Sequence, residues 1–170
     1  MDVGQCGMVQ VEHGQSPPLG GTETTTHAVL DNGATSFVVG NVTLERYLEQ
    51  LKQRDFDTET VKIFSCTKTF RFGNDRTGSA LGCATVPMFF GGKYVQILVY
   101  ILEGATPFLF ARPLMEELKF CIDFGKCRAR WDEAPWFTVT KQDGTGHYVL
   151  DILESYTSAE AEARLRAVTR

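Results

Sequence analysis

The chain of 170 residues has the ordinary size of one domain and is long enough to bury most of the surface that its unfolded form exposes. Hydrophobic residues make up 43% and charged residues 22%, with a formal net charge of -4, a balance that indicates a globular protein and argues against a nucleic-acid-binding surface. No apolar run approaches the roughly 20 residues of a membrane-spanning helix, and the N-terminal stretch lacks the pattern of a secretory signal, so we expect a cytoplasmic protein or a fragment of a longer one.

The first predicted elements lead up to a single acidic residue. Residues 1–21 combine the alternating fragment "MVQVEH" with the turn signals of "GQSPPLGG", which indicates a strand and a loop. The Thr-rich "TETTTHAVL" predicts a second strand that runs straight into Asp31. Beyond Gly40, "NVTLERYLEQLKQR" has apolar residues at helical spacing behind Asn41, a candidate N-cap, and predicts the first of three helices.

The segment from residue 61 to residue 102 has the pattern of antiparallel strands. The runs "VKIFSCTKTFRF", "SALGCATVPMFF" and "KYVQILVYIL" are rich in β-branched and aromatic residues, and the turn signals "GNDRTG" and "GG" separate them. Strands that follow one another without intervening helices predict an all-β barrel or sandwich.

A second junction between a strand and a helix lies in "EGATPFLFARPL". The apolar run "FLF" is followed by Ala111 and Arg112, and Pro113 suits the first turn of a short helix. "CIDFGKCRARW" returns to strand, and "WFTVTKQDGTGHYVLDIL" is typical of a hairpin around "DGTG". The tail "SAEAEARLRAVTR" favours a third helix with a frayed end.

The cysteines and histidines show no disulfide or metal pattern. Five cysteines form an odd set with no CxxC pair, which argues against a disulfide framework and a structural zinc site. We expect reduced thiols, most of them packing residues, at Cys6, Cys66, Cys83, Cys121 and Cys127. The histidines, His13, His27 and His147, show no ligand spacing, and we expect no cofactor and no metal ion.

Asp31 is the residue that most needs an explanation. An ionised carboxylate among apolar residues costs several kcal/mol unless it is hydrogen-bonded, neutralised or shared with a partner. A structural interpretation is available, because Asp-Asn-Gly is common turn chemistry and Asp31 can cap a turn. The second junction, before Arg112, favours instead a functional pairing of the two junctions.

The stretch "AVLDNGATSFVVG" resembles the active-site stretch of the retropepsins, the aspartic proteases of retroviruses and retrotransposons, in which two apolar residues precede Asp-Thr-Gly-Ala or Asp-Ser-Gly-Ala. "TPFLFARPLMEELKFCIDF" is similar to the closing stretch of that family. Between them, "RFGNDRTGSALG" stands where the family has its flap hairpin, and "FFGGKYVQILVYIL" where it has the next hairpin.

This resemblance covers residues 22–124 and implies an all-β, closed, barrel-like and dimeric retropepsin fold with one or two short helices. Around that core, residues 1–21 would form an N-terminal strand and loop, residues 125–157 a C-terminal strand extension, and residues 158–170 a helical or frayed tail.

The resemblance also implies an aspartic endopeptidase in which each chain of a homodimer contributes one Asp31. Two carboxylates about 3 Å apart cannot both ionise, so one keeps a proton while the other activates water for attack on a peptide carbonyl. The chain offers no second motif, because "QDGTG" has the wrong residue order, so the second aspartate must come from a second copy. The active-site loop would be Asp31, Asn32, Gly33 and Ala34, with Gly33 giving backbone freedom and an amide donor for the carboxylates.

Other elements of the family correspond to further positions. The flap that closes over an extended peptide would consist of Gly73, Asn74, Asp75, Arg76, Thr77 and Gly78, with an ordinary surface loop as the alternative. Ala111 and Arg112 would support the loop, Arg112 through an ion pair or a turn carbonyl. Candidate pocket residues are Val38, Phe72 and Phe108. Two residues depart from the family: Asn32 replaces a Thr or Ser that bonds across the dimer, and Ala111 replaces a Gly.

Three functions are compatible with these features. The first is an aspartic endopeptidase that processes a retroelement-like polyprotein, with a second copy and an extended peptide as partners and no nucleic acid or membrane. The second is a catalytically weakened dimerisation or peptide-binding module of the same fold, which Asn32 favours. The third is a host protein with a retroviral-protease-like domain, such as the ubiquitin shuttle receptors carry.

Overall fold

The structure is a computed structural model that describes residues 26–71 and 75–157. Within these residues the chain is mostly β, with two α-helices, α1 (Asn41–Gln53) and α2 (Arg112–Glu117). The strands are β1 (His27–Asp31), β2 (Val38–Gly40), β3 (Ile63–Phe64), β4 (Thr69–Arg71), β5 (Thr77–Ser79), β6 (Gly82–Phe90), β7 (Lys93–Leu102), β8 (Phe108–Ala111), β9 (Phe120–Asp123), β10 (Arg128–Trp131), β11 (Phe137–Thr138), β12 (Thr140–Lys141) and β13 (Tyr148–Asp151). The strand and loop expected in residues 1–21, the helical tail expected in residues 158–170, and Phe72, Gly73 and Asn74 lie outside the described residues.

Eight strands form one sheet in the order β12-β13-β1-β8-β2-β7-β6-β3, while β11-β10-β9 and β4-β5 form separate small sheets. In the described residues the large sheet has two edge strands, β12 and β3, and the expected closed barrel is not found there. Among these residues each edge strand is two residues long and pairs with its inner neighbour alone. With a 13-residue helix, the chain is mostly β rather than all-β.

The hairpins expected from turn signals are present. β6 and β7 pair antiparallel from Gly82↔Ile101 to Phe90↔Lys93, and the turn between them uses Gly91 and Gly92 at φ of 61° and 71°. Only glycine adopts this left-handed conformation without strain, which explains the "GG" signal. β4 pairs with β5, and β12 pairs with β13 around the "DGTG" turn. The expected antiparallel pairing is therefore confirmed for β6 and β7, whereas β4 and β5 form a sheet of their own and β3 pairs with β6.

Helix α1 begins where the sheet meets a loop. Its N-cap is Gly40 rather than Asn41, and no side chain caps the helix. The Asn41 Oδ1 instead accepts a hydrogen bond of 2.8 Å from the amide of Gly104. The amide of Gly40 donates to the Thr106 carbonyl at 2.9 Å, and that of Val42 donates to the Gly104 carbonyl at 3.0 Å. The start of α1 is thus held by the loop that precedes β8. The Asn41 side chain does not cap the helix, because its oxygen is bonded to this loop.

The large sheet buries side chains on both of its faces. Alternate residues of one strand point to opposite faces, so Ala28 and Leu30 of β1 join the main core while Val29 joins a second cluster. That cluster, here termed the small apolar face, consists of Val29, Val38, Leu102, Leu109 and Val149, with Phe70 and Tyr100 packed against it. Phe108 belongs to the main core and is 0% exposed, so its assignment as a pocket residue is wrong.

The main core is rich in aromatic rings. Tyr47 of α1 is completely buried, and its hydroxyl donates to the Pro87 carbonyl at 2.6 Å. Burial, followed by the charge of Asp151, raises the pKa of Tyr47 well above its ordinary value, which keeps the hydroxyl a donor. Phe108 packs edge-on against Tyr47. This packing fixes α1 against β8, the strand that ends at the second junction.

The described cysteines are free, but none of them is buried. Cys121 is exposed, and Cys66, Cys83 and Cys127 are half-buried. The expectation that most cysteines are packing residues is therefore wrong for this part of the chain. The reason is position: Cys66 lies in the connection between the short strands β3 and β4, and Cys121 lies on β9, an edge strand among the described residues.

Candidate active site

The two strand-to-helix junctions lie side by side. β1 and β8 run parallel, and their register pairs Asp31 with Ala111, the last residue of each strand. The loops beyond them are also joined, because the amide of Arg112 donates to the Ala34 carbonyl at 3.2 Å. The chain thus brings together Asp31, Ala34, Ala111 and Arg112 at one end of the sheet.

The side chain of Asp31 is buried, with 7% of its surface exposed. Its Oδ1 accepts a hydrogen bond of 2.9 Å from the amide of Gly33, and its carbonyl accepts one of 3.2 Å from the amide of Ala34. The hydrogen bond from the Gly33 amide is also the one that defines an Asx turn, so it is compatible with Asp31 as a turn cap and with Asp31 as a functional carboxylate. The alternation of β1 places Asp31 on the same face of the sheet as Val29, so the carboxylate stands at the end of the small apolar face.

Gly33 is suited to this position because it has no side chain that would crowd Asp31, and not because its backbone conformation requires glycine. Its φ is not in the left-handed region, so the conformation is open to any residue. A Cβ at this position would lie 3.3 Å from Asp31 Oδ1, closer than side chains normally approach. The glycine therefore lets its own amide come within hydrogen-bond distance of the carboxylate.

Replacing Gly33 by Ala should lower the peptide cleavage that the resemblance implies, without lowering stability. The methyl group displaces the carboxylate by a few tenths of an ångström, and misplacement of reacting groups costs about tenfold to a hundredfold in kcat/KM. The free energy of unfolding should stay equal or rise by up to about 1 kcal/mol, since alanine restricts the unfolded chain. Peptide cleavage and urea unfolding measure the two effects.

Gly125 provides the matched control, because it also follows an aspartate by two residues. A Cβ there would lie 3.5 Å from Asp123 Oδ1, an ordinary contact. Gly125→Ala should leave cleavage unchanged, and equal losses in both variants would show that crowding of Asp31 is not the cause.

The predicted flap segment forms part of the β4–β5 hairpin. Asp75 and Arg76 precede β5, and Thr77 and Gly78 belong to it. On the opposite strand, Phe70 packs against the small apolar face, with its ring 5.6 Å from that of Tyr100. One side of the hairpin therefore faces the same surface of the sheet as Asp31.

Asn32 and Arg112 lie on the outer side of the junctions. Asn32 is exposed, and the guanidinium of Arg112 pairs with Glu116 one turn along α2 at 3.6 Å. Both charged side chains are largely exposed, so this pair contributes little to stability. A groove of about 290 Å³ lies beside them, and among its lining residues are Asn32, Arg112, Met115, Phe120, Ile122 and Phe124. Two of these, Phe120 and Ile122, belong to β9, which is an edge strand in the described sheets.

Reasoning from sequence missed several residues around the site. Val29 and Leu109 lie two positions before Asp31 and Ala111, so period-two alternation was a signal that could have found them. Lys68, Ser36 and Tyr100 come together from three separate segments, and no local pattern marks them. Of the expected pocket residues, Val38 lies on the small apolar face.

Residues 26–71 and 75–157 contain no group of three or more His, Cys, Asp or Glu side chains that could hold a metal ion. Over the same ranges, no helix has the length and apolar character needed to cross a membrane.

Comparison with known proteins yields weak structural likenesses and no match in sequence. No protein-family model and no curated protein matches the chain. Among the solved structures that match is the crystal structure of the retroviral protease-like domain of Ddi1 from Leishmania major, with 18% sequence identity and a TM-score of 0.36. The match covers 65% of this chain and 84% of that chain. At this identity and TM-score the likeness carries no conclusion about activity.

Proposed function

We propose that the chain is an aspartic endopeptidase of retropepsin type that acts as a homodimer. The observation that carries the proposal is the buried Asp31 at the end of β1, oriented by the amide of Gly33 and paired in register with the second junction at Ala111. A buried carboxylate with this support, within the "LDNGA" stretch, suits a catalytic acid better than a simple turn.

In the proposed reaction, two copies of Asp31 meet at a twofold axis and share one proton. The ionised carboxylate takes a proton from water as the water oxygen bonds to the peptide carbonyl carbon, and the protonated Asp31 of the second copy gives its proton to the carbonyl oxygen. The first Asp31 then gives the proton that it took from water to the amide nitrogen, and the second Asp31 takes a proton back from a hydroxyl of the tetrahedral intermediate. The C–N bond breaks, an acid and an amine are released, and the two carboxyl groups again share one proton. The Gly33 amide of each copy holds its own carboxylate in place.

The surface beside Asn32 suits the contact between the two copies. The groove beside Asn32 combines polar groups with the apolar side chains of Met115, Phe120 and Ile122. Phe124, also part of this surface, is 49% exposed. Among the described residues β9 is an edge strand, and an edge strand can accept a further strand, which favours a second copy as the partner.

The small apolar face suits the substrate side of the site. Val29 and Leu109 lie on the two strands that end at the junctions, and Phe70 approaches them from the hairpin. We therefore propose an extended peptide with apolar side chains next to the scissile bond, as in a retroelement-like polyprotein.

The test is cleavage of a mixed peptide library at mildly acid pH by the purified chain, with products identified by mass spectrometry. Cleavage between apolar residues supports the endopeptidase. Binding of library peptides without cleavage would support the second candidate, a weakened peptide-binding module, for which the exposed Asn32 in place of Thr or Ser is the supporting observation.

Replacing Asn32 by Thr should tighten the dimer and raise cleavage. A threonine hydroxyl has one stiff side-chain torsion, whereas Asn must order an additional torsion to reach the same acceptor. A well-made hydrogen bond contributes about 0.5–1.5 kcal/mol, and the twofold axis counts each difference twice, so we expect a roughly tenfold lower dimer dissociation constant. Sedimentation measures the dissociation constant, and the rate at fixed protein concentration should rise with the dimer fraction.

Asn32→Ala serves as the comparison, since it removes the side chain without offering a hydroxyl. It should weaken the dimer. A weaker dimer in Asn32→Thr as well would mean that Asn32 makes its own network across the axis.

A further inference from the structure

The β4–β5 hairpin is connected to the large sheet through two side chains near its base. Lys68, immediately before β4, donates from Nζ to the Ser36 Oγ at 2.8 Å. The same ammonium lies 4.4 Å from the ring centre of Tyr100 and 5.7 Å from that of Phe70. Phe70 in turn contacts Tyr100, so three segments meet at one ammonium group.

Ser36 connects this contact to the candidate active site. Ser36 lies two residues beyond Ala34, in the connection from the Asp31 loop to β2. Tyr100 pairs in register with Val38 of the small apolar face. Lys68 therefore joins the hairpin both to the continuation of the Asp31 loop and to the sheet face that bears Val38.

We propose that Lys68 is a positioning residue that holds the β4–β5 hairpin over the peptide-binding face. The inference rests on the endopeptidase function proposed above, because it assigns Lys68 a part in binding the peptide substrate of that site. Lys68 itself touches neither the reacting atoms nor Asp31 in this assignment, and it acts through Ser36, Tyr100 and the hairpin.

The chemistry of the contact suits a reversible attachment. Lys68 is exposed, so its ammonium keeps part of its hydration, and its bonds to a hydroxyl and an aromatic face are individually weak. A hairpin that must admit and release a peptide needs an attachment of this strength rather than a buried ion pair. When the attachment is lost, fewer molecules hold the hairpin in the binding position, and the apparent affinity for peptide falls by that fraction.

Lys68→Met tests this assignment, because methionine keeps an apolar stem but loses the charge and the donor. We expect KM to rise about fivefold while kcat stays within about twofold, the pattern of a residue that acts in binding. Lys68→Arg should restore KM, since a guanidinium also donates and stacks on aromatic rings. Ser36→Ala should raise KM in the same direction, and the double variant should show less than the sum of the two effects because both remove one contact.

Lys62→Met, a change of another exposed lysine before β3, is the control and should leave KM unchanged. An unchanged KM in Lys68→Met, or an equal rise in Lys62→Met, would overturn the proposal. So would a fall in kcat at constant KM, which would place Lys68 in the chemical step.

Hydrogen exchange provides a readout that does not depend on cleavage. In Lys68→Met, amide exchange in β4 and β5 should become about fivefold faster while exchange in α1 stays the same. If the parent chain cleaves no peptide but the exchange difference is present, the endopeptidase function fails and the attachment by Lys68 stands. Equal exchange in the parent and in Lys68→Met would overturn the attachment, whatever the activity.

Discussion

Replacing Asp31 by Asn should abolish peptide cleavage and leave the fold intact. The amide has nearly the shape of the carboxylate, and its Oδ1 can still accept the 2.9 Å hydrogen bond from the Gly33 amide. In the proposed mechanism it can neither share a proton with Asp31 of a second copy nor take one from water. We expect the rate at saturating peptide to fall by at least about a thousandfold, as for loss of general acid–base catalysis. Product formation measured by mass spectrometry checks the rate, and circular dichroism checks the fold.

Asp151→Asn is the matched control for this change. Asp151 is a partly buried aspartate whose Oδ1 accepts a hydrogen bond of 2.9 Å from the amide two residues on, that of Leu153. Its replacement should preserve cleavage. Parental activity in Asp31→Asn would remove Asp31 from the mechanism, and equal inactivation of both variants would indicate a folding defect.

The Asp31→Asn variant also distinguishes a dimeric active site from a monomeric one. If each active unit contains one Asp31 from each copy, an excess of Asp31→Asn chain should exchange into the parent dimers and inhibit them. At a tenfold excess, most parent chains would pair with an inactive copy. Undiminished activity in that mixture would contradict the shared site.

The hairpins of the fold were predictable because their signals are local. A pair of glycines at positive φ is needed where β6 turns into β7, and "GG" at Gly91 and Gly92 shows this need in the sequence itself. The hydrogen bond from the Gly33 amide to the Asp31 carboxylate is equally local, since donor and acceptor are two residues apart. Features that depend on one turn of chain can thus be inferred from residue types alone.

Sheet closure was not predictable in the same way. Whether a sheet forms a barrel depends on which distant strands pair, and β13 lies beside β1 although about 120 residues separate them in sequence. Nothing in the alternation of either strand specifies its neighbour. The resemblance therefore implied a barrel that the pairing of the described strands does not form.

The candidate active site likewise has some features that local sequence predicts and others that it does not. The carboxylate and its loop follow from a motif, whereas the contact of Lys68 with Ser36 joins residues 32 positions apart and depends on where the hairpin rests. The assignment of Phe108 to a pocket is an expectation from sequence that the structure corrects. Alternation along β8 directs Phe108, like Phe110, into the main core and leaves Leu109 on the small apolar face.

Replacing Gly40 by Ala should destabilise the whole chain, the largest stability effect we expect at any described glycine. A Cβ at Gly40 would lie 2.3 Å from the Gly104 carbonyl oxygen and 2.5 Å from the Thr106 nitrogen, both of them backbone atoms that cannot rotate away. The loop must then move, which breaks the hydrogen bonds from Gly40 to Thr106 and from Gly104 to Asn41. Overpacking together with the lost bonds amounts to about 3 kcal/mol, a large part of the 5–15 kcal/mol that ordinarily stabilises a domain. Urea unfolding followed by circular dichroism measures the difference.

Gly92→Ala separates this clash from the general cost of adding a side chain to a glycine. At Gly92 the surrounding space is open, but φ is 71°, so alanine is strained in its backbone and meets no neighbour. At Gly40 the opposite holds, because φ of -71° suits any residue and only the contact with the loop is at fault. We expect about 1 kcal/mol for Gly92→Ala against about 3 kcal/mol for Gly40→Ala. Equal losses would mean that the loop before β8 yields to the methyl group, and the start of α1 would then not depend on its hydrogen bonds to that loop.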